Sequence, residues 1–207
     1  MLNRLIKFIC FIFIASLFTA CSNEAKLQTL DTNATVLAFG DSLTYGTGTS
    51  LNKAYPAILE QLIQRKVINA GIPGEISKDG LARLPALIKT HQPSLIIICH
   101  GGNDILRGLD LSKTRDNIQQ MIDLARQNNS QVILIGVPEF GLFLDTVSLY
   151  PELAKKNKIP ITADILSEII SNNTLKSDHI HPNAQGYQIL AESIDALLRN
   201  AGALPNG

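Results

Sequence analysis

Tryptophan is absent from this chain of 207 residues, and all aromatic residues together make up only 5% of it. A core built from this chain must therefore be aliphatic. The 45% of residues that are hydrophobic suffice for one domain with one sizeable core. Neither sign of charge is in excess: 18 Lys and Arg stand against 18 Asp and Glu, with no basic block. That excludes the electrostatic footprint of a nucleic-acid binder. There are three cysteines and four histidines. No cysteine pair or glutamate-rich cluster completes a zinc site, and His179-x-His181 alone does not make one. No Gly-Lys-Ser/Thr ending marks a phosphate loop, and no Gly-x-Gly-x-x-Gly marks a dinucleotide turn. The elbow Gly-x-Ser-x-Gly is missing as well, because Thr44 holds its last place.

The N-terminus has its own pattern. Arg4 and Lys7 precede an uncharged apolar run, Phe8 to Phe18, and the small residues Thr19 and Ala20 follow. This is the order of a secretory signal, and the run falls short of the roughly 17–25 residues that span a bilayer. Leu17-Phe-Thr-Ala-Cys21 resembles the lipobox of bacterial lipoproteins, with Phe18 where leucine is usual. The resemblance implies a signal over residues 1–20, cleavage before Cys21, and lipidation of that cysteine. Ser22, in place of an aspartate, points to the outer membrane. The expected location is the bacterial cell envelope, anchored by lipid and facing the periplasm. Residues 21–34 are polar without a clear period and read as a tether; such an anchor would hold the protein beside lipid. Cys99, alone in "LIIICH", reads as a small buried hydrophobe.

From residue 35 on, short apolar runs alternate with amphipathic stretches. Thr35–Phe39, Lys66–Asn69, Ser94–Cys99, Gln131–Gly136 and Ile159–Thr162 read as strands buried on both faces. Helical spacing covers Tyr55–Arg65, Gly80–Thr90 with Pro85 as a kink or a later start, a stretch capped by Ser112, and Ala184–Arg199. Alternation without a hairpin signal implies parallel strands and right-handed crossovers. The fold class is α/β: a three-layer α/β/α sandwich, flavodoxin-like, with a sheet of about five parallel strands. It occupies residues 35–200, with 201–207 as a tail.

In such a sheet, ligands bind beyond the carboxyl ends of the strands. There lie Gly40-Asp41-Ser42, Asn69-Ala70-Gly71-Ile72-Pro73-Gly74 and His100-Gly101-Gly102-Asn103-Asp104, joined by Asp178-His179-Ile180-His181-Pro182 before the last helix. Acyl transfer needs a nucleophile, a base, a group that orients the base, and donors for the oxyanion. Ser42 suits the first role, His181 the second and Asp178 the third. The main-chain N–H groups of Ser42 and Gly71 and the amide of Asn103 are the candidate oxyanion donors. Asp41 and Asp104 read as turn residues, and Ser42 alone could equally cap a helix.

In this order, "GDSLTYG", "NAGIPGE", "GGND" and "DHIHP" resemble the blocks of the SGNH, or GDSL, hydrolase superfamily. The run "GLARLPALIKTHQPSLIIICHGGNDILRG" is similar to the central segment of its bacterial thioesterase I, lysophospholipase and arylesterase branch. The resemblance covers essentially Thr35–Arg199. It implies hydrolysis of aryl, acyl or lysophospholipid esters, and of thioesters, through an acyl-serine, with no metal or organic cofactor. The partner is then a small ester or lipid. Carbohydrate O-acetyl esters are the alternative substrate within the superfamily, and a non-catalytic envelope-binding protein is the alternative outside it. His100 stands where that branch has an apolar residue, and residues 140–149 have no clear counterpart there; that segment is a candidate wall of an acyl pocket.

Overall fold

The computed structural model describes residues 25–141 and 144–205. Arg4, Lys7 and Cys21, and with them the signal and the lipidation site, lie outside the described residues.

The sheet has five parallel strands: β1 (Thr35–Gly40), β2 (Lys66–Gly71), β3 (Leu95–Cys99), β4 (Gln131–Ile135) and β5 (Ile161–Thr162), in the order β2-β1-β3-β4-β5. All five residues of β3 are buried, as is β1 from Val36 onward, because helices cover both faces. Continuous Val, Leu and Ile runs follow from that double burial. At the edge, β2 carries a mixed sequence and mixed exposure. Gly40 pairs with Gly71 on one side and with Cys99 on the other. The ends of β1, β2 and β3 therefore lie level, and the chain reverses its direction of sheet growth at β1. That crevice is where this topology places ligands.

The α-helices among the described residues are α1 (Ser42–Tyr45), α2 (Tyr55–Ile63), α3 (Ser77–His91), α4 (Gly102–Leu106), α5 (Leu111–Gln127), α6 (Leu149–Asn157), α7 (Ile165–Ser171) and α8 (Ala184–Asn200). Several element ends differ from the sequence reading by one or two residues, and two helix starts differ in kind. The cap of α5 is Asp110, not Ser112: its carboxylate accepts from the Ser112 N–H at 2.9 Å and from the Ser112 hydroxyl at 2.7 Å. The third helix begins at Ser77, earlier than Gly80, and runs through Pro85. Its first turn is held from another part of the chain. Buried Asp104 accepts from the Ser77 N–H at 2.8 Å and from the Ser77 hydroxyl at 2.6 Å. Leu84 and Ile88, flanking the proline, are buried and keep the helix on the sheet despite the lost donor.

The expected tether is not one over its described part. Leu30 and Ala34 are buried, and the N–H groups of Leu27 and Leu30 donate to Ala201 and Ala203, each at 2.8 Å. Gln28 and Gln131 exchange main-chain and side-chain hydrogen bonds. Residues 25–34 thus form a strap across the amino ends of the strands. The expected tail is its partner, with Ala203 and Leu204 buried.

Candidate active site

The nucleophile loop is built by three residues. Gly40 ends β1; Asp41 turns the chain, its carboxylate accepting from the Leu43 N–H at 3.1 Å; Ser42 then opens the short helix α1. The base arrives from a loop held by its own polar groups. Asp178 Oδ1 accepts from the N–H groups of Ile180 and His181, both at 2.9 Å, and the Ser177 N–H donates to the His181 carbonyl at 2.9 Å. Asn183 caps α8 through the N–H groups of Gln185 and Gly186. The Tyr187 hydroxyl reaches back to the Thr47 carbonyl at 2.8 Å, fastening α8 to the chain that follows α1.

These two loops meet. The Ser42 hydroxyl lies 2.9 Å from His181 Nε2, and Asp178 Oδ2 lies 2.8 Å from His181 Nδ1. A carboxylate only accepts, so Nδ1 carries the proton and Nε2 is left to accept from the serine hydroxyl. Partial burial pushes the Asp178 carboxyl up, but the hydrogen bonds from Ile180 and His181 more than offset it and hold it below its ordinary value. Asp178 stays ionised and can support the imidazolium that forms when Ser42 loses its proton.

The chain matches the model of the GDSL-like lipase/acylhydrolase family over residues 38–189. It belongs to that family. Thioesterase 1/protease 1/lysophospholipase L1 of Escherichia coli (strain K12) is 34% identical over 166 residues, covering 76% of this chain and 80% of that protein. An arylesterase of Vibrio mimicus is 30% identical over 173 residues, covering 77% and 85%. The solved structure of TesA superposes with a TM-score of 0.73 at 29% identity, covering 81% of this chain and 99% of that one. This GDSL hydrolase thus has the α/β fold of its relatives, and its serine-hydrolase chemistry is the family's.

Within the GDSL hydrolase site, the structure leaves the Ser42 N–H without an acceptor among the described residues, as an oxyanion donor requires. Asn103, at the start of α4, brings its amide to the same edge. Its Nδ2 donates to the Glu75 carbonyl at 3.1 Å and to Asp41 Oδ2 at 3.3 Å. The longer of these is the one a substrate oxygen can take over. Gly71 is a correction. Its N–H already donates to the Asn69 side chain at 3.0 Å. A Cβ there would lie 2.1 Å from the Tyr45 nitrogen, so this glycine exists to let β2 pack against α1. Three residues on, Gly74 adopts a φ of +79° and its N–H has no acceptor among the described residues. Its carbonyl is fixed by Arg107 at 2.7 Å.

Other assignments sort plainly. Asp41 is a buried structural carboxylate; burial pushes its pKa up, against the pull of His100, the Leu43 N–H and His181. Asp104 is more than a turn residue, since it also accepts from the Thr114 hydroxyl at 3.2 Å. His179 is exposed and outside the triad. Among the described residues no group of three or more His, Cys, Asp or Glu side chains could hold a metal ion. Cys99 is a free thiol in the core, pushed up by burial. Phe140, from the segment without a counterpart, comes 4.0 Å from where a Gly102 Cβ would stand, beside Asn103.

Proposed function

We propose that this protein hydrolyses carboxylic esters of apolar acyl chains, including aryl and lysophospholipid esters, and accepts thioesters. The observation that carries the reading is the continuous line Asp178–His181–Ser42, with 2.8 and 2.9 Å between partners. Ser42 Oγ attacks the acyl carbonyl as His181 Nε2 takes its proton. The oxyanion is received by the N–H groups of Ser42 and Gly74 and by the Asn103 amide. His181 returns the proton to the departing alcohol or thiol. Water, deprotonated by the same nitrogen, then releases the acid from the acyl-serine.

An apolar acyl group fits the exposed side chains near these donors. Ile72 stands in the Gly71–Gly74 loop and Leu106 at the end of α4, 45% and 46% exposed, and Phe140 borders the Asn103 side. The names of relatives, thioesterase, lysophospholipase and arylesterase, agree with this range of esters and thioesters. Turnover of p-nitrophenyl acetate, octanoate and longer esters, together with lysophosphatidylcholine, tests this. Rates rising from acetyl to octanoyl support it. Turnover of acetyl esters alone, with acetylated glycans preferred, overturns it.

For localisation we propose a lipoprotein of the cell envelope, on the order of charges, apolar residues and small residues before Cys21. The Cys21→Ser variant should leave the membrane fraction and take up no labelled palmitate. Labelling equal to wild type overturns the anchor.

A further inference from the structure

Beneath the proposed oxyanion donors lies a polar cluster that no catalytic step uses. Glu75, whose side chain is 7% exposed, accepts from Arg83 twice, Nε to Oε1 at 2.7 Å and Nη2 to Oε2 at 2.6 Å. His100, wholly buried, shares Oε2 at 3.0 Å through Nε2. Its Nδ1 accepts from the Gly101 N–H at 3.0 Å, so Nε2 is the ring nitrogen that donates. Arg83 Nη2 also donates to the carbonyls of Ala70 at 2.9 Å and Gly40 at 3.2 Å. Its guanidinium lies 4.4 Å above the centre of the Phe39 ring. Burial pushes the Glu75 carboxyl up, and the bonds from His100 and Arg83 more than offset it, so it remains an anion.

Every oxyanion donor is attached to this cluster. Gly40 stands two residues before Ser42. Gly74 is bonded directly to Glu75. The Asn103 amide donates to the Glu75 carbonyl. We propose that Glu75, clamped by Arg83 and His100, is the positioning residue of the oxyanion hole. It fixes the Gly74 peptide and the Asn103 amide at their catalytic separation. This rests on the hydrolase reading above. A site's donors must be set before the reaction begins, and a displacement of about 1 Å can cost 10²-fold in rate. An ion pair buried this far brings little net stability, so its value lies in fixing geometry.

The test is a double-mutant cycle of Glu75→Gln and Asn103→Ala on a p-nitrophenyl ester, with kcat and KM separated. Glu75→Gln should lower kcat by roughly 10²-fold with KM little changed. In the Asn103→Ala background the same change should cost only about 10-fold, because the Gly74 peptide is then the one donor left for it to position. Losses that multiply, or a wild-type kcat in Glu75→Gln, overturn the proposal. Should Glu75→Gln fail to fold, Gly80→Ala replaces it. A Cβ at Gly80 would stand 2.2 Å from His100 Nε2, displacing the imidazole without touching a reacting group. Alanine favours a helix over glycine while the contact with buried His100 opposes it, so a thermal melt accompanies the kinetics; kcat should fall in the folded fraction, and an unchanged kcat there overturns the clamp equally. If wild type hydrolyses no ester, both readings fall; if wild type is active and the cycle is additive, only this one does.

Discussion

His181 is set between an atom that can only accept and an atom that must give up a proton. Its protonation state is therefore the switch for Ser42. Once Nε2 is protonated it cannot take the serine proton, so kcat/KM should fall as the pH is lowered. Asp178 does not limit this, because its depressed pKa keeps it ionised to lower pH. The sign follows from linkage: its stabilising contribution is complete above the ordinary carboxylate value and is lost only as pH falls through the lower folded value. A rate indifferent to acid over the range in which the fold persists removes His181 as the base. Ser42→Ala and His181→Ala should each lower kcat by up to roughly 10⁶-fold. Asn103→Ala should cost about 2.7–4 kcal/mol of transition-state stabilisation. Gly71→Ala is different in kind: its Cβ meets the backbone of α1, so the loss should show as a lower unfolding midpoint. Ser42 and Asn103 were legible because their residue types follow strand ends, where chemistry is expected, and Asp178 and His181 because a carboxylate and an imidazole stand three residues apart in the loop before the last helix. Gly71 was not separable from Gly74 in "NAGIPGE", since which N–H is already taken depends on the fold of the Asn69 side chain.

Among the elements, the strands were readable because burial on both faces writes an unbroken apolar run. Long helices such as α5 and α8 were readable from their spacing. The start of α3 was not. Its cap is a carboxylate 27 residues further on, supplied by Asp104 across the fold. No local pattern carries that information. The short helix α7, with seven residues, spans too few turns for a period to stand out. Asp104→Ala should leave the Ser77 N–H and the Ser77 hydroxyl short of an acceptor, whereas the Thr114 hydroxyl keeps the Asp110 carbonyl. The expected cost is about 1–3 kcal/mol, read as a shift of the urea midpoint. An unchanged midpoint would show that α3 begins without this cap.

For the whole molecule, composition and alternation gave the architecture, and the family resemblance covered nearly the entire domain. What escaped was the docking of the two ends. Leu27 and Leu30 stand among polar neighbours and form no period, so nothing in residues 21–34 distinguishes a strap from a loose tether. Leu30 is nevertheless buried. Leu30→Ala should lower stability by about 2 kcal/mol, the low end for a buried leucine, whereas a loose segment would give no change in thermal midpoint. The strap also fixes a direction. It crosses the amino ends of the strands, whereas Ser42 and His181 stand beyond the carboxyl ends, one strand length of roughly 20 Å away. A lipid on Cys21, four residues before Ala25, would reach at most about 14 Å from that lower pole. The anchor proposed at Cys21 would therefore join the pole opposite the catalytic mouth, and lysophospholipids would reach Ser42 as free molecules and not from the leaflet beneath.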